Sequence, residues 1–350
     1  MKRELNVYER DIFAQPEDMR RSLRFFREQD YYSKMLKIGP ENYEKILFTG
    51  IGSSYSSCIN IARELENKGF NVSLKVASDL VYYEMESITK DTLVVAVSQS
   101  GESGEIVSLI ERLDPDVKMV SITNNPDSTL GKRGTYTFLM HVDDELAVST
   151  RTYLSSLMLQ YMLLGAFTGR CGEKVCTELE RAISFLDDTV ASFDEMTEKM
   201  ISVLGHPDHL AIIGRGWSYE TVDAGSLFTK EVAKYPTIPF EGAQFRHGPF
   251  EMVVFDFSAV ILAPKGAGSD MQLKLAKDLA ERGGKIAFVT DREDIEDSKG
   301  ICIIRQKYIN EIFAPFSQIV ALQCFGNYMA KSRGIAVGEF VYGTKVTVVQ

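Results

Sequence analysis

The chain repeats part of itself, and this internal similarity constrains its fold more than any other feature. The segment ILFTGIGSSYSS, from Ile46 to Ser57, is echoed by HLAIIGRGWSYE, from His209 to Glu220. DTLVVAVSQSGE is then echoed by FSAVILAPKGAG. In the first pair of segments the offset is 164 residues at every matched position: Gly50, Gly52, Ser54 and Tyr55 answer to Gly214, Gly216, Ser218 and Tyr219. An offset kept across several elements predicts a tandem repeat of one domain.

Within each repeat, apolar segments alternate with helical patterns. Strands are predicted in the first repeat at KILFTG, NVSLKVASDL, DTLVVAVS, VKMVSITN and TYTFLMHV. This alternation is typical of a parallel sheet with helices on both sides, an α/β fold. We expect four parts: an N-terminal helical segment (1–36), a first domain (37–170), a connecting helix (171–203) and a second domain (204–350).

Composition narrows the function classes. The net charge of −10 argues against broad nucleic-acid binding and requires that an anionic ligand be held by locally arranged donors. The sequence has no apolar stretch long enough to cross a bilayer, and its first residues are too polar for a secretory signal. Five scattered cysteines fit neither a disulfide framework nor a zinc site, so a cytoplasmic protein with reduced thiols and no membrane partner is expected.

Hydroxyls and glycine cluster where the third strand becomes a helix, in the SQSGES segment from Ser98 to Ser103. A helix N-terminus offers unpaired N–H groups, glycine lets an anion approach the backbone, and serine adds donors. Gly52, Ser53 and Ser54 occupy the preceding strand–helix junction and would complete a phosphate cradle. The alternative is a tight turn with a helix cap. The Gly-Lys-Ser/Thr signature of nucleotide-binding loops is missing, which disfavours nucleoside triphosphates.

Three strings, GIGSSYSS, SQSGES and GAQFRHGPFEMV, together resemble the sugar isomerase (SIS) family. The nearest resemblance is to the isomerase half of glutamine:fructose-6-phosphate aminotransferase and to stand-alone amino-sugar phosphate deaminases and fructosamine-6-phosphate deglycases. The resemblance implies two doubly wound five-stranded parallel sheets and a homodimer. It also implies that a sugar 6-phosphate is bound by residues at the positions Ser53, Ser54, Ser98, Gln99, Ser100, Ser103, Val148 and Thr150.

The same resemblance assigns catalytic roles. Glu231 matches the glutamate that moves a proton between C1 and C2 of the sugar, and His247 matches the histidine that opens the ring, often in the neighbouring subunit's site. Lys345 matches a lysine near the C-terminus that forms a Schiff base or neutralises developing charge. The alternatives from the residues alone are a solvated glutamate paired with Lys234, a structural histidine and an exposed lysine.

Two departures from the family limit the activity expected. Phe228 stands where the aminotransferase and many deaminases have a lysine, and a glutaminase domain with its N-terminal cysteine is not present in the sequence. We therefore expect an enzyme that removes ammonia or an amino acid from an amino-substituted hexose 6-phosphate. The alternatives are a simple aldose–ketose isomerase, an aminotransferase half without its glutaminase, and a non-catalytic phosphosugar sensor. No metal or organic cofactor is expected, because a sugar carbonyl or imine already acidifies the adjacent proton.

Overall fold

A computed structural model of the chain describes residues 4–145, 147–254 and 256–342. These residues divide into two compact units, each built on one sheet. The first unit comprises residues 17–145, 149–180 and 340–342. The second unit comprises residues 4–16, 147–148, 181–254 and 256–339.

Both sheets have five parallel strands and the same topology. The strands of the first sheet are β1 (Lys45–Gly50), β2 (Val72–Val76), β3 (Thr92–Val97), β4 (Lys118–Thr123) and β5 (Tyr136–Leu139), in the order β2-β1-β3-β4-β5. Those of the second sheet are β6 (Leu210–Gly214), β7 (Thr237–Glu241), β8 (Ser258–Leu262), β9 (Lys285–Thr290) and β10 (Ile301–Arg305), in the order β10-β9-β8-β6-β7. Starting from β7, the second order repeats the first. The predicted fold class, a tandem pair of doubly wound five-stranded parallel sheets, is confirmed.

Helices connect the strands. They are α1 (Val7–Glu28), α2 (Tyr31–Leu36), α3 (Ser53–Ser56), α4 (Ile59–Asn67), α5 (Ala77–Asp79), α6 (Gly104–Arg112), α7 (Thr129–Arg133), α8 (Arg151–Phe167), α9 (Gly172–Ala191), α10 (Phe193–Leu204), α11 (Tyr219–Ala233), α12 (Gly242–Arg246), α13 (Ser269–Glu281) and α14 (Ala314–Ser332). Within the described ranges, none of them combines the length and the apolar character that a membrane-spanning helix needs.

The central strands are buried on both faces, which explains their apolar runs. Every residue of β3 is buried, and the core on one side of the first sheet includes Leu47, Val94 and Ala96. In the second sheet every residue of β8 is buried, and Ile261 packs in a core with Phe288. A strand covered on both sides has no polar face, so alternation is lost and continuous apolar sequence remains.

Two helical segments predicted from the sequence are each interrupted at a single residue in the structure. The N-terminal helical segment expected over residues 1–36 contains two helices, α1 and α2, because Asp30 adopts a left-handed backbone with φ 51°. The connecting helix expected over 171–203 is divided into α9 and α10. At this break the N–H and the hydroxyl of Ser192 both donate to the carbonyl of Thr189, which makes a tighter turn than an α-helix.

Candidate phosphosugar site

Two loops of the first unit meet at one edge of the first sheet. β1 and β3 pair in parallel, with Thr49 opposite Ala96, so their carboxyl ends lie side by side. Gly52 to Ser54 follow β1, and Ser98 to Ser103 follow β3. The topology therefore brings together the candidate residues from both loops: Gly52, Ser53, Ser54, Ser98, Gln99, Ser100 and Ser103.

Gly50 permits the close approach of the backbone at this edge. A Cβ atom built on Gly50 would lie 2.9 Å from the carbonyl carbon of Ser54, 2.9 Å from the nitrogen of Tyr55 and 3.0 Å from the carbonyl oxygen of Val97. All three neighbours are backbone atoms, which cannot move aside as a side chain can. A glycine is thus required for α3 to start directly over the end of β3.

The SQSGES loop is shaped by its own hydroxyls. The N–H of Gly101 donates to Ser98 Oγ at 3.1 Å, and the N–H of Glu102 donates to Ser100 Oγ at 3.2 Å. Gly101 has φ 67°, a conformation that favours glycine. Both serine oxygens accept a hydrogen bond from the backbone, so neither proton is needed for these two bonds; Ser98 Oγ also lies 3.5 Å from Ser103 Oγ. Ser98 is buried, whereas Ser100 and Ser103 are half-buried and reachable by a ligand.

The loop leads into the N-terminus of α6, a nine-residue helix. Ser103 precedes the first helical residue, but its side chain makes no capping hydrogen bond. The first N–H groups of the helix lack intrahelical acceptors, and the helix dipole places partial positive charge there. The edge consequently offers amides and hydroxyls together, which is the chemistry that binds a phosphate.

Glu102 is the one acidic residue in the loop, and its carboxylate is directed to α7. Its two oxygens accept hydrogen bonds from the N–H of Thr129 at 2.6 Å and from the hydroxyl of Thr129 at 2.9 Å. A carboxylate in this loop would repel a bound phosphate unless its side chain turned away from it. In the structure the carboxylate of Glu102 does turn away, toward the first turn of α7 rather than into bulk solvent.

Val148 and Thr150 are both buried, and they belong to different units. The hydroxyl and the N–H of Thr150 both donate to Glu145 Oε1 at 2.9 Å. Glu145 also accepts hydrogen bonds from the N–H and the hydroxyl of Thr152, so it holds the start of α8. Sequence reasoning missed Glu145; its signal is a carboxylate a few residues before two threonines at a helix start.

Glu231 lies two residues before the end of α11 in the second unit, and its side chain is half-buried. Lys234 Nζ donates to the backbone carbonyls of Glu231 and Glu339, both at 2.5 Å. Phe228, three residues earlier on the same helix, is buried with 2% of its surface exposed. A lysine at that position would be withdrawn from water.

His247 directly follows α12 and is exposed. The neighbouring Arg246 donates to Asp278 Oδ2 at 2.7 Å, so it is engaged with an acid of its own unit. Lys345, the third predicted catalytic residue, lies outside the described residues.

Glu231 and His247 occupy opposite ends of β7. α11 starts after the carboxyl end of β6 and leads back to the amino end of β7, whereas His247 comes after the carboxyl end of β7. The five residues of β7 span about 13 Å at the usual rise per residue. Within one chain the two side chains therefore belong to opposite edges of the second sheet.

Comparison with known proteins finds a matching family model and similar curated proteins. The family model of the SIS domain matches residues 41–167, which include both loops of the first sheet edge. Among curated proteins, the chain is 24% identical over 302 residues to the glutamine–fructose-6-phosphate aminotransferase (isomerizing) of Thermococcus kodakarensis. That alignment covers 84% of this chain and 50% of the relative, so the chain spans about half the length of the curated relatives it matches.

Solved structures share the fold at low sequence identity. The C-terminal domain of glucosamine-fructose-6-phosphate aminotransferase from Francisella tularensis superposes with a TM-score of 0.84 at 19% identity, covering 96% of this chain and 98% of that one. Glucosamine-6-phosphate deaminase from Thermotoga maritima superposes with a TM-score of 0.72 at 18% identity, covering 95% and 100%. The SIS domain model thus matches residues 41–167, and the solved structures share the fold over nearly the whole chain.

Proposed function

We propose that this chain is an enzyme that acts on an amino-substituted hexose 6-phosphate and releases the nitrogen as ammonia or as an amino acid. The observation that carries the proposal is the sheet edge where uncapped α6 amides meet the Ser98 and Ser100 hydroxyls beside Gly52 to Ser54. Two of the proteins compared above, an aminotransferase and a deaminase, are named for phosphosugars that receive or carry nitrogen.

The chemistry requires one acid–base group for ring opening and another for carbon-bound proton transfer. His247 would move a proton between the ring oxygen and the anomeric hydroxyl, since an imidazole can both accept and donate a proton. Glu231 would then carry a proton between C1 and C2 through an enediol-like intermediate. The imine that results takes up water and expels ammonia or an amino acid. Lys345 would assist near the developing charge.

The geometry of the second unit supports the contribution of His247 from a second copy of the chain. A single sugar cannot meet two side chains that lie at opposite edges of one sheet, about 13 Å apart along β7 alone. A homodimer resolves this separation if the imidazole of one copy completes the site of the other.

The buried Phe228 supports a substrate other than free ammonia and fructose 6-phosphate. In the family a lysine stands at this position; here the position is apolar and 2% exposed. A phenylalanine cannot supply the cation that the family's lysine provides, which favours a substrate that already carries its nitrogen.

The test is a panel of amino-sugar 6-phosphates and fructosamine 6-phosphates, with the released amine detected by mass spectrometry. We expect turnover of at least one of them without added metal or cofactor. In Glu231→Gln the rate should fall by about a thousandfold while substrate affinity is kept, which is the range of general-base removal. Glu195→Gln, an exposed change on α10, is the matched control.

Each alternative activity gives its own result in this assay. Aldose–ketose interconversion without amine release would indicate a simple isomerase. Binding without any turnover would indicate a sensor. Undiminished activity in Glu231→Gln would show that the base lies elsewhere.

A further inference from the structure

The second sheet carries a cavity at its own carboxyl edge. It encloses about 210 Å³ and lies within the second unit, where the chain leaves β6 and β8. Its walls include Arg215, Trp217, Pro264, Ser269, Gln272 and Glu311. The proposed activity assigns no role to this cavity.

The cavity is the counterpart of the phosphate-binding edge in the first repeat. β6 pairs with β8 in parallel as β1 pairs with β3. Arg215 to Trp217 follow β6, and the segment that leads into Ser269 follows β8. Residues 263–268, APKGAG, lack the hydroxyls of the SQSGES loop in the first repeat. The structure supplies a different set of donors at the same place.

The first donor is a buried amide. Gln272 is 1% exposed, and its Oε1 accepts a hydrogen bond from Arg215 Nε at 3.1 Å. That bond identifies the remaining amide atom, Nε2, as a donor, and Nε2 has no hydrogen-bond partner within the described residues. A buried donor left unpaired destabilises a protein, and Gln272 is one of the residues that line the cavity, so its amide can pair with an acceptor that a ligand brings.

Further donors surround this amide. α13 has thirteen residues and starts at Ser269 without a side-chain cap. The N–H of Ser269 donates to the carbonyl of Gly266 at 3.2 Å, whereas the N–H groups of Asp270 and Met271 have no acceptor within the helix. Arg292 Nη1 donates to Ser269 Oγ at 3.2 Å, which leaves the serine proton for another acceptor. Arg215 adds a positive charge, with its Nε 3.8 Å from Glu241 Oε1. The donors are thus concentrated on the α13 side of the cavity.

The remaining walls suit a sugar rather than a bare anion. Trp217 and Pro264 present apolar surface, which packs against the carbon-bound hydrogens of a sugar ring. Glu311 is half-buried, and burial raises the pKa of its carboxyl, which can share hydrogen bonds with hydroxyl groups. Glu241 is already occupied as the cap of α12, since its Oε2 accepts from the N–H groups of Ala243 and Gln244.

We propose that this cavity is a second binding site for a sugar phosphate, separate from the edge of the first sheet, with the phosphate toward α13 and the sugar hydroxyls toward Glu311. The proposal goes beyond the proposed activity and does not depend on it.

The chain contains one tryptophan, and it lies in this cavity, so fluorescence reports on the site directly. The probe is 1,5-anhydroglucitol 6-phosphate, a hexose phosphate whose ring cannot open and which therefore is not converted. We expect a saturable change in Trp217 emission in the wild type. The double variant Ser98→Ala/Ser100→Ala, which weakens the first edge, should give the same midpoint within about twofold, because separate sites add independently.

A blocking variant tests the location. A Cβ atom on Gly268 would meet only carbon atoms of the Arg215 side chain, at 3.7 Å, so Gly268→Leu fills the cavity without backbone strain. We expect this variant to bind the probe at least about tenfold more weakly while keeping its thermal unfolding midpoint. Arg215→Met should weaken binding as well. Lys277→Leu, an exposed change on the same helix, is the control and should bind as the wild type does.

Three results would overturn the proposal. The first is an unchanged Trp217 emission up to millimolar probe. The second is a signal that disappears in Ser98→Ala/Ser100→Ala and persists in Gly268→Leu. The third is equal binding of neutral 1,5-anhydroglucitol, which would show that the donors around α13 do not recognise a phosphate.

Discussion

At the scale of single residues, Glu102 shows how a negative charge is kept in an anion-binding loop. Its carboxylate bonds to the N–H and the hydroxyl of Thr129, so the side chain joins the loop after β3 to the first turn of α7. The charged side chain therefore holds the loop in position. Simple electrostatics predicts that removing this negative charge strengthens anion binding. The hydrogen bonds of Glu102 predict that it does not.

We expect Glu102→Gln to bind hexose phosphates no more tightly than the wild type, although one negative charge is gone. The amide has a single acceptor oxygen, so one bond to Thr129 is lost and unfolding becomes easier by about 1 kcal/mol. Isothermal titration and urea unfolding measure both effects. Glu111→Gln, an exposed change at the far end of α6, is the control. A tenfold gain in affinity would mean that Glu102 opposes the ligand directly.

The serines of the loop could be predicted from sequence because a helix N-terminus with glycine and hydroxyls has a local chemical meaning. The hydrogen-bond partner of Glu102 could not be predicted, since Thr129 is 27 residues away and becomes a neighbour only when β3 and β4 pair. The role of Glu145 could not be predicted for the same reason, because its bonds to Thr150 and Thr152 depend on the turn before α8.

At the scale of elements, the strands were predictable and the helix breaks were not. Apolar runs such as Thr92–Val97 identify strands buried on both faces. The break at Asp30 follows from a left-handed conformation at a residue that is not glycine, and the break at Ser192 from a side-chain bond to the preceding turn. Neither has a distinctive sequence signal, because aspartate and serine also occur within helices.

One buried carboxylate joins α1 to α14 in the second unit. Glu9 is fully buried and accepts hydrogen bonds from Asn327 Nδ2 at 3.0 Å, from Lys331 Nζ, and from the N–H of Asn6 at 3.0 Å. Burial alone would raise the pKa of Glu9, but these bonds together lower it below its ordinary value of 4.5. The ionised form is therefore favoured by folding.

We expect Lys331→Met to lower the free energy of unfolding by about 2 kcal/mol at neutral pH, because a buried carboxylate loses a charged donor. The folded-state pKa is depressed, so the contribution is complete above the unfolded pKa and is lost as pH falls through the folded one. The difference between wild type and variant should accordingly shrink below about pH 4. Lys307→Met, which removes an exposed pair with Asp188, should cost much less. Urea unfolding across pH measures both, and a constant difference at all pH values would contradict the account.

At the scale of the whole molecule, the separation of Glu231 from His247 makes a prediction about mixed oligomers. Glu231→Gln and His247→Ala should each be inactive alone. If each site combines the glutamate of one chain with the imidazole of another, mixed dimers contain one intact site. An equal mixture should then recover about a quarter of the wild-type activity after subunit exchange. If both groups served one site from the same chain, the mixture would stay inactive.

The two repeats differ in how firmly their first glycine is fixed. Around Gly50 the neighbours of an added methyl group are backbone atoms, whereas around Gly214 they are the side chains of Val222, at 2.7 Å, and Ser218, at 3.2 Å. Backbone atoms stay in place whatever residue the chain carries, whereas Val222 can be replaced by a smaller residue. Under selection for activity, position 50 should remain invariant, while position 214 exchanges with alanine whenever position 222 shrinks. An added methyl group at position 50 thus meets fixed backbone, whereas at position 214 its nearest neighbour is a side chain that substitution can change.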